Sequence, residues 1–330
     1  MAVQTKKITL KDIAARAGVS LTSASMYING NAKKYHLSDA ACKRIQDAIN
    51  ELGYIPNIHA RAIAKKQTLL IGMEISSSID SSFWLNILSG IEETIRQDDY
   101  HMILSVSHAN IEKELENIKF MLNKGIDGLF ITPTGRGESN LDYLKELNKT
   151  IPVVTINKPL AELSGAYNDD YQSGALAAEH LIANGHRKIV YLGPSDQPRA
   201  DSFEQILRSN GLEFTGYVNV GEFIDHIHEF TAAFCFCDYL ALDLYKKAAS
   251  RNVRIPEDLS VLGFDNMDFS ELTVPRLSTF NQYKKELGVS AAKIMLEKLK
   301  AKKYDPKPVH DRFMPNLIEG ASIMNISSQP

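Results

Sequence analysis

Three groups of residues in this 330-residue chain have the types and spacing to do chemistry. The first is Ser20, Leu21, Thr22 and Ser23, with Met26 one turn on and Asn29 after it. Short hydroxyls and thin apolar side chains at the start of a helix suit a major groove, where they reach base edges. On a plain three-helix bundle the same face would be merely solvated. The second group stands at the ends of apolar strands. It comprises Phe83 and Trp84 beside Ser82, Ser107 beside His108, Asn157 with Lys158, Asp169, Arg199, Asp238 after Cys237, Asp265 before Asn266, and Gln282. Aromatic rings pack on a sugar face, and carboxylates and Arg take hydroxyls in pairs. Blander roles stay open: Asp265 as a turn cap, Arg199 paired to a helix-end acid, Phe83 and Trp84 as ordinary core. The third group is Asp225, His226, His228 and Glu229. An i, i+2 histidine pair shares a face only on a strand, and no third ligand pattern accompanies it. A solvated surface is expected there, not a metal. Cys235 and Cys237 lack the spacer of a redox pair, and alternation puts both thiols on one strand face. No nucleophile elbow, phosphate loop or dinucleotide fingerprint occurs. The chain therefore reads as a binder, with no catalytic residue, no metal and no cofactor expected.

Helices must position the first group. Thr9 caps a helix over 9–17, with Asp12 three residues on and Leu10, Ile13, Ala14 and Ala17 on one face. Gly18 turns the chain, Ser20 caps a second helix to about Ile28, and Asn29-Gly30 ends it. This is a helix-turn-helix. Ser38 caps a third helix with Ala41, Ile45, Ala48, Ile49 and Leu52 as its stripe, and Gly53 stops it. Beyond Pro56, Asn57 caps a segment too short to be a stable helix alone in water. Arg61, Lys65 and Lys66 make it cationic, a linker that orders on contact. The loop 31–37 carries Lys33, Lys34 and Tyr35, either backbone contacts or plain solvated loop.

A strand–helix alternation must position the second group. Apolar strands are expected at 69–75, 101–107, 128–133 and 152–157, then at 188–193, 232–237 and 261–264, with amphipathic helices between them. That pattern means parallel sheets in two halves of similar plan. Ligands of open α/β sheets sit beyond the strands' carboxyl ends, and two such halves facing each other make a cleft.

Composition agrees with a globular chain. Hydrophobic residues are 44% and charged ones 23%, which excludes disordered, collagen-like and disulfide-framework classes. No run approaches the ~18 apolar residues of a membrane span. No apolar signal region follows Lys6 and Lys7, and three cysteines without framework spacing suggest reduced thiols and a cytoplasmic address. The net charge of −3 hides a split. Residues 1–66 hold eleven basic and four acidic residues, +7, and the other 264 carry −10. A basic head on an acidic body points to a polyanionic partner.

The runs TLKDIAARAGVSLTSASMYINGN and LSDAACKRIQDAINELGYIPNIHARAIA resemble the DNA-binding head and hinge of the LacI/GalR (lactose/galactose repressor) family of bacterial transcription regulators. The body resembles that family's sensor domain, so the likeness covers nearly the whole chain. It implies an all-α helix-turn-helix head with a hinge helix, and an α/β body of two parallel-sheet subdomains like type I periplasmic binding proteins. It implies base readout by Leu21, Thr22 and Met26, and phosphate contacts by Ser20, Ser23 and Asn29. Asn57, Ala60, Arg61 and Ile63 fall in the hinge, Ile63 where the family has a minor-groove Leu wedge. Together with the strand-end rule, it places Phe83, Trp84, Ser107, Asn157, Lys158, Asp169, Arg199, Asp238, Asp265 and Gln282 at the effector cleft.

This sequence departs from the family at several points. Met26 replaces a usual guanine-reading Arg, Cys237 a frequent Asn, Lys158 a frequent Arg, and the stretch 211–231 is short. The implied division is a head at 1–56, a hinge at 57–68 and a body at 69–330. Within the body, one subdomain takes about 69–165 and 284–314 and the other about 166–283 and 315–330, with crossings near Gly165, Tyr283 and Pro315. The expected function is a homodimeric, sequence-specific repressor of a carbohydrate-utilisation operon. Its affinity for double-stranded operator DNA would be switched by a small sugar-like effector, with no membrane partner. No heptad near the end suggests a tetramer. The rivals are a stand-alone sugar-binding protein and a sugar-processing enzyme with an appended DNA-binding head.

Overall fold

The computed structural model describes residues 8–54, 67–79, 82–135 and 139–327. The hinge residues Asn57, Ala60, Arg61 and Ile63 lie outside the described residues. The chain divides into two compact units, 1–70 and 71–330.

The first unit is a three-helix bundle of α1 (Leu10–Ala17), α2 (Leu21–Ile28) and α3 (Asp39–Leu52). Thr9 donates its N–H and hydroxyl to the Asp12 carboxylate at 2.8 and 2.6 Å, closing the start of α1. Gly18, at φ 60°, ends α1 in the left-handed region that glycine enters without a Cβ penalty. Ser20 and Ser38 accept from the backbone N–H groups of Ser23 and Ala41, at 3.0 and 3.3 Å, and so begin α2 and α3. Ile13, Ala14 and Ala17 meet Ala24, Ile45 and Ala48 in the core. Arg44 Nε donates to the Ala17 carbonyl at 3.0 Å, a cation set on the negative end of α1. Ile45 is wholly buried, so Ile45→Ala would cost about 2–5 kcal/mol.

The second unit alternates strands and helices. One sheet holds β1 (Leu70–Ile75), β2 (His101–Val106), β3 (Gly128–Thr132), β4 (Val153–Ile156), β5 (Ser164–Asn168) and β11 (His310–Phe313). The other holds β6 (Ile189–Leu192), β7 (Thr215–Tyr217), β8 (Ala232–Cys235), β9 (Ser260–Asp265), β10 (Ser278–Asn281) and β12 (Asn316–Ile318). Their orders are β11-β5-β4-β3-β1-β2 and β12-β10-β9-β8-β6-β7. Pairing is parallel from β1 through β3, β4 and β5 to β11, and from β7 through β6, β8 and β9 to β10. Only β12 is seen to pair antiparallel among the described residues. Central strands such as β4 and β6 are buried throughout, as parallel strands covered by helices must be.

The helices of the first sheet are α4 (Ser82–Ile95), α5 (Ile111–Asn123) and α6 (Leu141–Leu147); α11 (Lys284–Lys300) packs on α4. Those of the second are α7 (Asp170–Ala183), α8 (Pro198–Ser209), α9 (Val220–Phe223) and α10 (Asp238–Ser250). The chain crosses between sheets after β5, after β10 and after β11. The first crossing therefore falls at Asp169, four residues past the Gly165 near which it was expected. Residues 164–168 form a paired strand that the apolar-run criterion passes over, because Ser-Gly-Ala-Tyr-Asn is not an apolar run. Among the described residues, no helix is long and apolar enough to cross a membrane.

Local geometry is explicit at two further places that the sequence singled out. His226 and His228 lie in a 3-10 turn, Ile224–Glu229, rather than on a strand. His226 pairs with Glu229 at 2.8 Å and stacks on Tyr217, while Asp225 pairs with Arg251. The thiols of Cys235 and Cys237 do not share a strand face. β8 ends at Cys235, which is core, and Cys237 is the residue that starts α10.

Candidate functional site

On the first unit, the buried side of α2 is Ala24, with Tyr27 and Ile28 packed against the same core. Turning α2 inward on those residues leaves Leu21 43% exposed, Thr22 exposed and Met26 half-buried. Ser20 and Ser23 sit together at the helix start, their hydroxyls 2.9 Å apart. Asn29 closes the other end, donating to Ser25 Oγ at 3.3 Å. The face thus presents thin apolar and hydroxyl groups at the helix N-terminus, chemistry that a base edge and a phosphate can meet. Lys33, Lys34 and Tyr35 are exposed on the following turn.

On the second unit, a cavity of about 840 Å³ opens where the strand ends of the two sheets face each other. Phe83, Trp84, Asn157, Arg199, Asp265 and Gln282 line it. Phe83 and Trp84 meet edge to face, 5.5 Å between centroids. Trp84 is only 5% exposed and donates Nε1–H to Ser77 Oγ at 2.8 Å, so it is core and cavity wall at once. Arg199, 3% exposed, lies in the first turn of α8. Its guanidinium is held over the Phe264 ring at 3.4 Å and beside Phe236 at 4.6 Å. It donates to the Phe236 carbonyl at 2.5 Å and to the Asp170 carboxylate at 2.6 Å. Gly174 makes this possible: a Cβ there would run into the Arg199 carbonyl, so α7 and α8 could not approach.

Asp265 ends β9 and accepts from Gln282 Nε2. Gln282 Oε1 accepts from Asn168 Nδ2 at 3.0 Å, and Asn157 Oδ1 accepts from the same amide at 3.0 Å. One chain of side chains therefore joins the two sheets across the first two crossings. Burial, and next the charge of Asp238, push the Asp265 carboxyl up to about 7. Lys284 donates to the carbonyls of Asp265 and Asn266, fixing that loop from behind.

Four residues expected at the cleft do not line this cavity. Asp238 is wholly buried beneath the floor, accepting from Thr279 Oγ1 at 2.6 Å and Met267 N–H at 2.8 Å. Burial holds its carboxyl up at about 6. Ser107 is buried too, and turns inward toward Glu74 rather than outward. Asp169 caps α7 through Gln172 N–H and pairs with Arg312. Lys158 donates to the Pro133 and Gly135 carbonyls at 2.8 and 2.7 Å. Asp169 and Lys158 line a second, adjoining cavity of about 660 Å³.

Comparison with known proteins bears on the family and the fold. Residues 9–57 match the model for bacterial regulatory proteins of the lacI family, and residues 178–323 match that for the periplasmic binding protein-like domain. The HTH-type transcriptional repressor PurR of Aliivibrio fischeri is 30% identical, over 96% of this chain and 98% of its own. The chain belongs to the LacI family. The HTH-type transcriptional regulator DegA of Bacillus subtilis is 28% identical over 86% of this chain and 88% of its own. A crystal structure of the lac repressor dimer bound to operator and the anti-inducer ONPF shares the fold. Its TM-score is 0.83 at 23% identity, over 97% of this chain and all of that one.

This LacI-family member also brings to the cavity residues that sequence reasoning passed over. Among them are Asp170, Gln197, Phe236 and Tyr239. Asp170 is one residue from the Asp169 that was expected. The strand-to-helix boundary decides which of the two adjacent carboxylates faces the cavity, and that boundary is not written in the local sequence. Phe236 follows β8 directly, so the strand-end rule would have reached it. Cys237 also lines the cavity, its thiol pushed up to about 11, first by burial and then by Asp265.

Proposed function

We propose that this chain is a repressor whose operator affinity is set by a small polyhydroxylated effector held in the 840 Å³ cavity. The observation that carries the reading is that both sheets wall one cavity, and that a polar chain from Asp265 through Gln282 and Asn168 to Asn157 ties them. A ligand there acts on the angle between the two halves. Phe83, Trp84 and Tyr239 offer ring faces, while Asp170, Arg199 and Asp265 offer hydroxyl partners. On the head, Leu21, Thr22 and Met26 read bases and Ser20, Ser23 and Asn29 meet phosphates. In the proposed division, head 1–56, hinge 57–68 and body 69–330 act in series, with Ile63 as the hinge wedge. Two copies bind one near-palindromic operator, because a single head makes too few contacts for specific affinity. Effector binding shifts operator affinity through a coupling of about 1–3 kcal/mol.

The test begins with operator selection from a random duplex pool by the full chain, followed by a sugar screen for release or tightening. Arg199→Ala is expected to abolish the sugar response while leaving DNA affinity without sugar unchanged. A chain that selects no motif overturns the regulator reading. An intact response in Arg199→Ala overturns the assigned effector site.

A further inference from the structure

The turn that ends β9 has an unusual backbone. Asp265 and Asn266 have φ 119° and 48°, values that residues other than glycine rarely adopt. Such a conformation persists only where its surroundings over-determine it. Thr279 Oγ1 on β10 accepts from the Asn266 N–H at 3.2 Å, and the Asp238 carboxylate at the start of α10 accepts from the Met267 N–H at 2.8 Å. Both partners come from the turn's own half. The carbonyls of Asp265 and Asn266 instead accept from Lys284 Nζ, the second at 2.9 Å.

Lys284 belongs to the other half. It is the first residue of α11, which packs on α4 and on β4 and β5 of the first sheet. A Cβ on Gly90 or Gly288 would run into the Lys285 or Ile87 carbonyl, so α4 and α11 lie close enough to move as one body. Nothing in α11 itself asks for a cation there, because the positive end of a helix repels one. Burial also opposes the charge, while Asp265 and Asp238 favour it. Tyr283, just before it, has φ 48°, so the crossing is strained where Lys284 leaves it. One buried ammonium therefore joins two strained backbone segments, one on each side of the crossing.

We propose that Lys284 is the positioning residue through which the angle between the two halves sets the Asp265 turn. This rests on the proposed function and names the residue that carries its coupling. Rotation of the α4–α11 body draws the ammonium off the two carbonyls, the turn relaxes, and Asp265 loses its aim into the cavity. Linkage runs both ways, so operator binding reaches the turn through the same residue.

The experiment follows amide hydrogen exchange over Asp265–Asp268 in the full chain, with and without a saturating amount of the operator duplex taken from the pool selection. In the parent, operator is expected to change that exchange by at least about fivefold, the low end of ordinary coupling. Lys284→Met is expected to raise the exchange and to remove its response to operator, and Lys284→Arg to restore the response. Thr279→Val, which loosens the same turn from its own half, is expected to raise the exchange and keep the response. Lys284→Gln, too short to hold both carbonyls, serves if the Met variant fails to fold. A turn in the parent that ignores bound operator overturns the inference and leaves the regulator reading standing. So does a Lys284→Met chain that responds as the parent does, or a Thr279→Val chain that has lost the response. Selection of no duplex at all overturns the regulator reading, and the inference with it.

Discussion

At the scale of single residues, Asp265 carries the sharpest consequence. Its carboxyl sits near 7 because burial and Asp238 both oppose its charge, while Arg199, Lys284 and Gln282 favour it. Sugar hydroxyls donate to a carboxylate better than to a carboxylic acid. Binding should therefore prefer the ionised form, and effector affinity is expected to rise between about pH 6 and pH 8 and then level off. Asp265→Asn should flatten that profile; a profile unchanged by the substitution would remove Asp265 from the contact. Met26 is the other informative position. It is half-buried one turn beyond Thr22 on α2, and in the proposed readout an Arg there would take guanine O6 and N7 for about 1–3 kcal/mol. Met26→Arg is expected to change the selected base at one position per half-site, read by repeating the pool selection. An identical motif would mean that residue 26 touches no base. Arg199, Asp265 and Gln282, placed at the cleft by the resemblance and the strand-end rule together, do line the cavity. Site residues were not legible where direction decides. Ser107 does stand at a strand end, yet its hydroxyl turns under β1, and nothing in its neighbours along the chain says so.

At the scale of elements, the same distinction separates what periodicity can reveal from what it cannot. The caps at Thr9, Ser20 and Ser38 and the stop at Gly18 were plain in the sequence, because each is a local hydrogen bond or a local backbone need. β5 was not, because its place in the sheet comes from pairing with β4 and β11, the latter drawn from residues far along the chain. Between β1, β2 and α5 lies a packing that no pattern announces. Glu74 is wholly buried on β1, its carboxyl raised to about 7, mainly by burial. Ser107 and Asn117 stand near enough to favour its charge, while Glu114 opposes it and Lys113 helps. The sign follows from linkage. The folded chain holds this proton up to about pH 7, and the unfolded chain loses it near 4.5. Stability therefore falls as pH rises between those values and stays lower above them, by on the order of 3 kcal/mol at most. Glu74→Gln is expected to raise the melting temperature at pH 8 and to match the parent near pH 4.5. Equal melting temperatures at both pH values would show that the carboxyl is not held protonated.

At the scale of the whole molecule, charge separates two kinds of binding. Residues 1–66 carry +7 and the remainder −10, so the two binding events should answer to salt in different ways. A head that neutralises phosphates releases their counterions, and 6–10 such contacts would cost about 10³–10⁵ in affinity between 50 and 200 mM salt. A neutral ligand in the cleft releases none, so its affinity should change little over the same range. Linkage then ties the two measurements together. If effector weakens operator binding by some factor, operator must weaken effector binding by the same factor. That factor can be read twice at one salt concentration. One reading is operator titration with and without saturating sugar; the other is sugar titration with and without operator. Agreement between them, with a steep salt slope only for DNA, is the expected outcome for a basic reader coupled to a neutral-ligand sensor. A sugar affinity that falls as steeply with salt as the DNA affinity would mean that the ligand is an anion. Two factors that disagree would mean that sugar and operator do not act on one shared equilibrium.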